Sequence, residues 1–226
     1  MNYIIFDLEW NQSANGKQYS LDDMPFEIIE IGSVKLDEHF QITDSFEKII
    51  KPQVYMELHY AVRDMLHLDR HELMEGESFK SAATDFFAWC GKDPVFCTWG
   101  SLDLVELQRN VKHFGVDYTF KKPLLYYDVQ KLFSIQFQDG RQRLSLEHAV
   151  NMLDMKEDSG YHRAINDAEY TADLFKKLDM NLIGKFFSID TYNIPSTRGA
   201  EVYLNFGNYG KYVSIGFPTR EDAMSD

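Results

Sequence analysis

Apolar and polar positions alternate at two different periods along this chain, and the change of period divides it. Residues 3–10 follow the strand period of two. Ile4, Phe6, Leu8 and Trp10 fall on one face, and Tyr3, Ile5, Asp7 and Glu9 on the other. The second face turns from apolar to acidic at its C-terminal end, as suits a central strand whose end opens into a site. Residues 11–25 are polar and read as a loop. "FEIIEIGSVKL" (26–36) and "DSFEKIIKP" (44–52) read as two further strands, the second stopped by Pro52. The links among the three are short, which predicts antiparallel pairing.

Helical spacing then takes over. Phe79, Ala82, Ala83, Phe86, Phe87 and Cys90 form one stripe over 78–91, with Ser78 as N-cap and Gly91 as stop. A short strand at 94–100, a helix at 102–115 and a strand at 124–129 follow. Asp128 caps the next helix, and further helices are predicted at 145–153 and 164–178. Alternating β and α segments predict parallel strands with crossover helices. Residues 193–199 read as a lead-in loop, and 200–217 alternate at period two around "GNYG", predicting a C-terminal β-hairpin. Its role is open: a cover for the core, an edge for self-association, or an aromatic platform of Tyr203, Phe206, Tyr209 and Tyr212.

The 226 residues are 44% hydrophobic and 26% charged, so a full core is expected. No apolar run reaches bilayer length, and the first strand leaves no room for a leader, so a cytoplasmic protein without membrane association is expected. Cys90 and Cys97 fit two reduced thiols. The net charge of −13 argues against a broad basic nucleic-acid surface. It leaves room for a carboxylate site whose sign bound cations would invert.

Asp7 and Glu9 stand two residues apart on a strand, so both side chains point the same way. Two adjacent carboxylates repel unless a cation lies between them or one is protonated. Their hard oxygens suit Mg2+ or Mn2+. Alone, the pair also fits a strand end fraying into solvent. Asp103 opens a helix just after the strand at 94–100, where α/β sheets gather ligands. It equally fits a first-turn acid facing the helix dipole. His162 and Asp167 lie five residues apart, about 140° around an ideal helix. His162 therefore belongs to the loop or first turn and Asp167 to the helix interior, although a surface histidine near a helix start has the same pattern. Glu30, on an apolar background, either supports the site or is simply paired.

In order, the chain carries D-x-E ("FDLEW"), D ("TWGSLD") and H-x-x-x-x-D ("HRAINDA"). This set resembles the DEDDh branch of the DnaQ-like 3′–5′ exonucleases, over roughly residues 1–180. A sister branch has Tyr four residues before the last Asp, where this chain has Arg163. Within the branch the chain is most similar to Eri-like and KapD-like exonucleases. The resemblance implies an α/β, ribonuclease-H-like fold: a mixed sheet of three antiparallel then parallel strands, flanked by helices. An exonuclease domain at 1–182 and an extension at 183–226 are expected.

The resemblance further implies metal-assisted hydrolysis of the terminal phosphodiester with two Mg2+ or Mn2+ ions. Asp7 would bridge both ions, Glu9 and Asp167 would hold the nucleophile-side ion, and Asp103 would support the other through water. His162 would be the general base, a role for which imidazoles are suited near neutral pH. The partners implied are single-stranded nucleic-acid 3′ ends, RNA ahead of DNA, and the product is a nucleoside 5′-monophosphate. Leu8 and Trp10 are candidate substrate contacts, against a reading as core residues. Arg141, Arg143, Lys121 and Lys122 are possible phosphate contacts. Residues 67–73 lack the glycine of the family's 3′-end-holding "GIT". The rival readings are a non-catalytic module of the same fold, a polymerase proofreading subunit, and an endonuclease of ribonuclease-H type.

Overall fold

The computed structural model describes residues 2–65, 70–120, 124–155, 160–179, 190–193, 201–205 and 212–216. Three strands lead: β1 (Asn2–Asn11), β2 (Glu27–Leu36) and β3 (Ile42–Ile49). β1 pairs antiparallel with β2, and β2 with β3. The third strand therefore begins and ends earlier than the pattern predicts. A tight turn sets its start: Asp37 Oδ1 accepts from the backbone N–H of His39 and of Gln41, and Phe40 takes a φ of 58°. The polar 11–25 loop contains a short 3-10 turn, Lys17–Tyr19.

Two short helices, α1 (Tyr60–Met65) and α2 (Arg70–Glu75), escape the pattern because six residues show too little periodicity. The alternating half follows: α3 (Phe79–Cys90), β4 (Pro94–Thr98), α4 (Leu102–His113), β5 (Leu125–Asp128), α5 (Val129–Phe137), α6 (Leu146–Met152) and α7 (Ala164–Lys176). β4 pairs parallel with β1, and β5 parallel with β4. Ser78, Asp128 and Ser145 cap α3, α5 and α6, each side chain accepting a backbone N–H three residues on.

β6 (Asp190–Asn193), β7 (Glu201–Asn205) and β8 (Tyr212–Gly216) then extend the sheet antiparallel, in the order β3-β2-β1-β4-β5-β6-β7-β8. The hairpin is present in the backbone as β7–β8. β6 lies just before the predicted lead-in loop and overlaps it at Asn193; four residues are too few to reveal a strand by alternation. The side chains of the aromatic quartet lie outside the described residues.

The two faces of β1 meet different layers. On one, Phe6 packs edge-on against Phe86 of α3 and Phe96 of β4, with ring centroids 5.9 and 5.7 Å apart. On the other, Tyr3 lies 5.6 Å from Phe175 of α7. Period-two alternation thus places Asp7 on the α7 side. α7 comes unusually near: a Cβ on Gly32, which pairs with Asp7, would lie 2.0 Å from Ile165 N and 2.1 Å from the Ala164 carbonyl carbon. Only a residue without a side chain lets the start of α7 rest on the sheet there.

Polar bonds fix the C-terminal ends of β1 and the start of β2 to the following chain. Fully buried Asn11 donates to the carbonyls of Tyr55 and Glu57 and accepts from His59 N–H. The Glu27 carboxylate accepts from the N–H groups of Gln53, Val54 and Tyr55. Asn110 of α4 accepts from Ile28 N–H and donates to Phe26 O, tying the helix to the same strand end.

Candidate active site

β1, β4 and β5 run parallel, so their C-terminal ends share one edge of the sheet, where an α/β fold exposes loops and helix N-termini. Asp7 and Glu9 come from the end of β1. Asp103 comes from the first turn of α4, two residues after its N-cap Ser101, and is buried. Asp167 comes from the first turn of α7, 9% exposed, brought to Asp7 by the close seat on Gly32. His162 precedes that helix, exposed, with φ 66°. Its backbone N–H donates to Asp167 Oδ2 at 3.3 Å. Ligand atoms of Glu9, His162 and Asp167 all lie within 4.8 Å of one another. The loop histidine and helix aspartate read from the five-residue spacing therefore have that placement, and the left-handed turn is what brings the imidazole back to the carboxylates.

The alternation of β1 breaks at the site. Register shifts between Glu9, opposite Glu30, and Trp10, opposite Ile28. Such a bulge re-aims the side chains beyond it. Trp10 packs against Phe26, ring centroids 5.7 Å apart, and remains half-buried. Leu8 is only 3% exposed and lies in the core, so its side chain is withdrawn from the site. Its backbone still takes part: Leu8 N–H is one of two backbone groups that stabilise the Asp103 carboxylate.

The electrostatics are those of too many negative charges in one place. Burial, then Asp103, Asp167, Glu9 and Glu30 in that order, holds the Asp7 carboxyl well above the usual carboxylate range. Burial, with Asp167, Glu30 and Asp103, pushes Glu9 up to about 8. Burial raises Asp103 to about 7 against the pull of the two backbone N–H groups. Burial raises Asp167 to about 6, opposed by the His162 N–H. Asp167 Oδ1 is buried and has no hydrogen-bond partner among the described residues. A carboxylate-rich donor set with one imidazole, mutual repulsion and an orphaned carboxylate oxygen fit a divalent cation.

This has a measurable result without metal. Glu9 ordinarily titrates near 4.5 and here at about 8, so the folded state holds the extra proton between those values. Unfolding then releases protons, and stability falls as pH rises through that window. In EDTA, the melting temperature should drop by roughly 10 °C or more between pH 5 and pH 8, and Mn2+ should reverse the drop. A flat or rising profile would show that these groups are not jointly desolvated.

Sequence reasoning missed the supports. Arg163 directs its guanidinium away from the acids, Nε to Glu30 at 2.9 Å and a terminal nitrogen to Glu47 at 2.7 Å. Glu30 is thus paired. Arg143 is exposed, and one guanidinium nitrogen donates to Asp128 at 3.0 Å and to Gln130. Arg141 is exposed; Lys121, Lys122 and residues 66–69 lie outside the described residues. Glu106, one turn beyond Asp103, is buried and bound to Arg109.

Known proteins resemble this arrangement at several levels. The exonuclease family model, RNase T, matches residues 4–175. The PolC-type DNA polymerase III of Staphylococcus saprophyticus is 25% identical over 180 residues, 78% of this chain but only 11% of that protein. Cell-death related nuclease 4 (CRN-4) superposes with TM-score 0.68 at 18% identity, over 85% of this chain and 68% of that one. The nuclease domain of 3′hExo, a DEDDh family member solved with rAMP, gives TM-score 0.66 at 18% identity, over 78% and 90%. Those likenesses establish a ribonuclease-H-like fold, and the family model spans the strand, both helix starts and the histidine turn. The chain belongs to the exonuclease family whose model it matches from strand β1 to helix α7.

Proposed function

We propose that this chain is a 3′–5′ exonuclease acting on single-stranded RNA or DNA ends with two divalent ions, Mg2+ or Mn2+. The observation that carries the reading is the meeting of Glu9, His162 and Asp167 ligand atoms within 4.8 Å, on a patch where burial, and for Glu9 the neighbouring acids as well, raises the carboxyl groups. Asp7, Glu9, Asp103 and Asp167 would hold the ions. Bound there, the ions supply charge neutralisation at the scissile phosphate and a more acidic attacking water. His162 stands outside the core on a turn, within reach of Glu9 and Asp167, and takes the water's proton as general base. The product is a nucleoside 5′-monophosphate. We assign this activity to residues 1–182, with 183–226 as an appended segment carrying the hairpin. Among the described residues no helix is long and apolar enough to cross a membrane, and we infer a cytoplasmic enzyme free of membrane.

The test uses 5′-labelled single-stranded RNA and DNA with Mg2+, Mn2+ or EDTA. A ladder shortening stepwise from the 3′ end, lost in EDTA, is expected. Cleavage that persists in EDTA would overturn the metal-based reading, and cutting of a circular substrate would indicate an endonuclease.

The similarity to the PolC-type polymerase favours a second reading, a proofreading activity that works beside a polymerase. Co-purification with a polymerase and faster removal of mismatched DNA ends would select it. RNA cleaved faster than DNA, with no polymerase bound, would select the first.

A further inference from the structure

We propose that Arg163 is a positioning residue for this site, acting through Glu30 and Glu47 to hold the His162 turn; the inference rests on the exonuclease reading above. His162 has a φ of 66°, a backbone state that a side chain disfavours and that persists only where the surroundings impose it. Among the described residues it makes one long backbone bond, to Asp167. The next residue supplies the restraint. Arg163 is the N-cap of α7 but makes no side-chain capping bond. Instead its guanidinium reaches back across the sheet, Nε to Glu30 Oε1 on β2 and a terminal nitrogen to Glu47 Oε1 on β3.

Those two carboxylates belong to different strands, so the fork fixes both the distance and the rotation of the turn relative to the sheet. Glu30 is fully buried and stands directly across the β1–β2 pair from Glu9. Arg163 therefore also places a cation against a buried carboxylate beside the acidic cluster. One side chain does two things: it fixes where the imidazole can stand and confines the uncompensated charge to the acids that face it. A lysine could keep the charge but has one ammonium and no planar fork, so it cannot hold both carboxylates in this geometry.

The test compares wild type, Arg163→Ala, Arg163→Lys and the double variant Arg163→Ala with Glu30→Gln, which keeps folding possible by removing the stranded buried charge. Turnover and KM are measured on a 5′-labelled single-stranded oligonucleotide. Independently, Mn2+ is titrated into histidine-labelled protein, and broadening of the His162 ring signal reports whether the imidazole stands by the metal-binding acids. Loss of Arg163 should lower kcat by about 10–100-fold with KM changed little, as for residues that orient a ligand shell. It should also abolish selective His162 broadening. Lysine should rescue neither, and the double variant should melt near wild type without regaining broadening. Unchanged kcat and broadening in Arg163→Ala, or full rescue by lysine, would overturn the proposal. Should wild type release no nucleotide, the exonuclease reading fails, while the broadening comparison still decides the positioning role.

Discussion

Replacing Asp167 by Asn should lower nuclease turnover by about 10³-fold or more and, at the same time, make the metal-free protein harder to melt at pH 8. Both results follow from one carboxylate. Asp167 is 9% exposed, its Oδ1 has no partner among the described residues, and burial raises it to about 6 from the usual 3.8. The folded state therefore favours the proton, stability falls as pH rises through that window, and by pH 8 the cost of a buried negative charge is complete. Asparagine keeps the shape and the acceptor for the His162 N–H but carries no charge. The gain is of order 2 kcal/mol, or about 5 °C in melting temperature. At pH 4, where aspartate is already protonated in the folded state, the variant and wild type should melt together. Turnover falls because a neutral amide oxygen is a poor ligand for a divalent cation. Melting curves in EDTA at both pH values, beside a turnover assay, check this. A variant that melts lower at pH 8 would show that the charge is already compensated without metal.

Gly32→Ala should be the most damaging alanine substitution among the described glycines. The added Cβ would meet Ile165 N at 2.0 Å, Ala164 C at 2.1 Å and Ala164 O at 2.5 Å. All three are backbone atoms, so no side chain can rotate aside, and α7 must lift from β1 and β2. Overpacking usually costs about 1–3 kcal/mol, and a rigid backbone contact belongs at or above the top of that range. The displacement also moves Asp167 and His162 from Asp7 and Glu9, so activity should fall even where enough folded protein remains. Urea denaturation measures the first effect and turnover per folded molecule the second. A loss below 1 kcal/mol with full turnover would mean that the helix has slack.

Much of the site was legible because its information is local. Period two aims Asp7 and Glu9 together, and a helix start fixes Asp103. Five residues of spacing separate a turn histidine from a helix aspartate. What sets the distance between these pieces was not legible, because it depends on partners far away in the chain. Gly32 reads as an ordinary strand glycine until α7 is laid over it. Arg163 reads as a polar helix start, yet its partners are 133 and 116 residues away. Leu8 and Trp10 share a face by alternation, but the bulge after Glu9 separates their surroundings. The short helices at 60–65 and 70–75 and the four-residue β6 carry too few residues for a period to emerge.

The Asn11 and Glu27 bonds have an evolutionary corollary. Every group they engage between residues 53 and 59 is a main-chain N–H or C=O. Such contacts do not read the side chain, proline apart, although Tyr55 and Gln53 add side-chain bonds of their own. Met56, half exposed on this segment, is thus interchangeable without loosening the loop that frames the end of β1. Exposed side chains on that loop can change singly, while the two anchoring side chains must stay as they are.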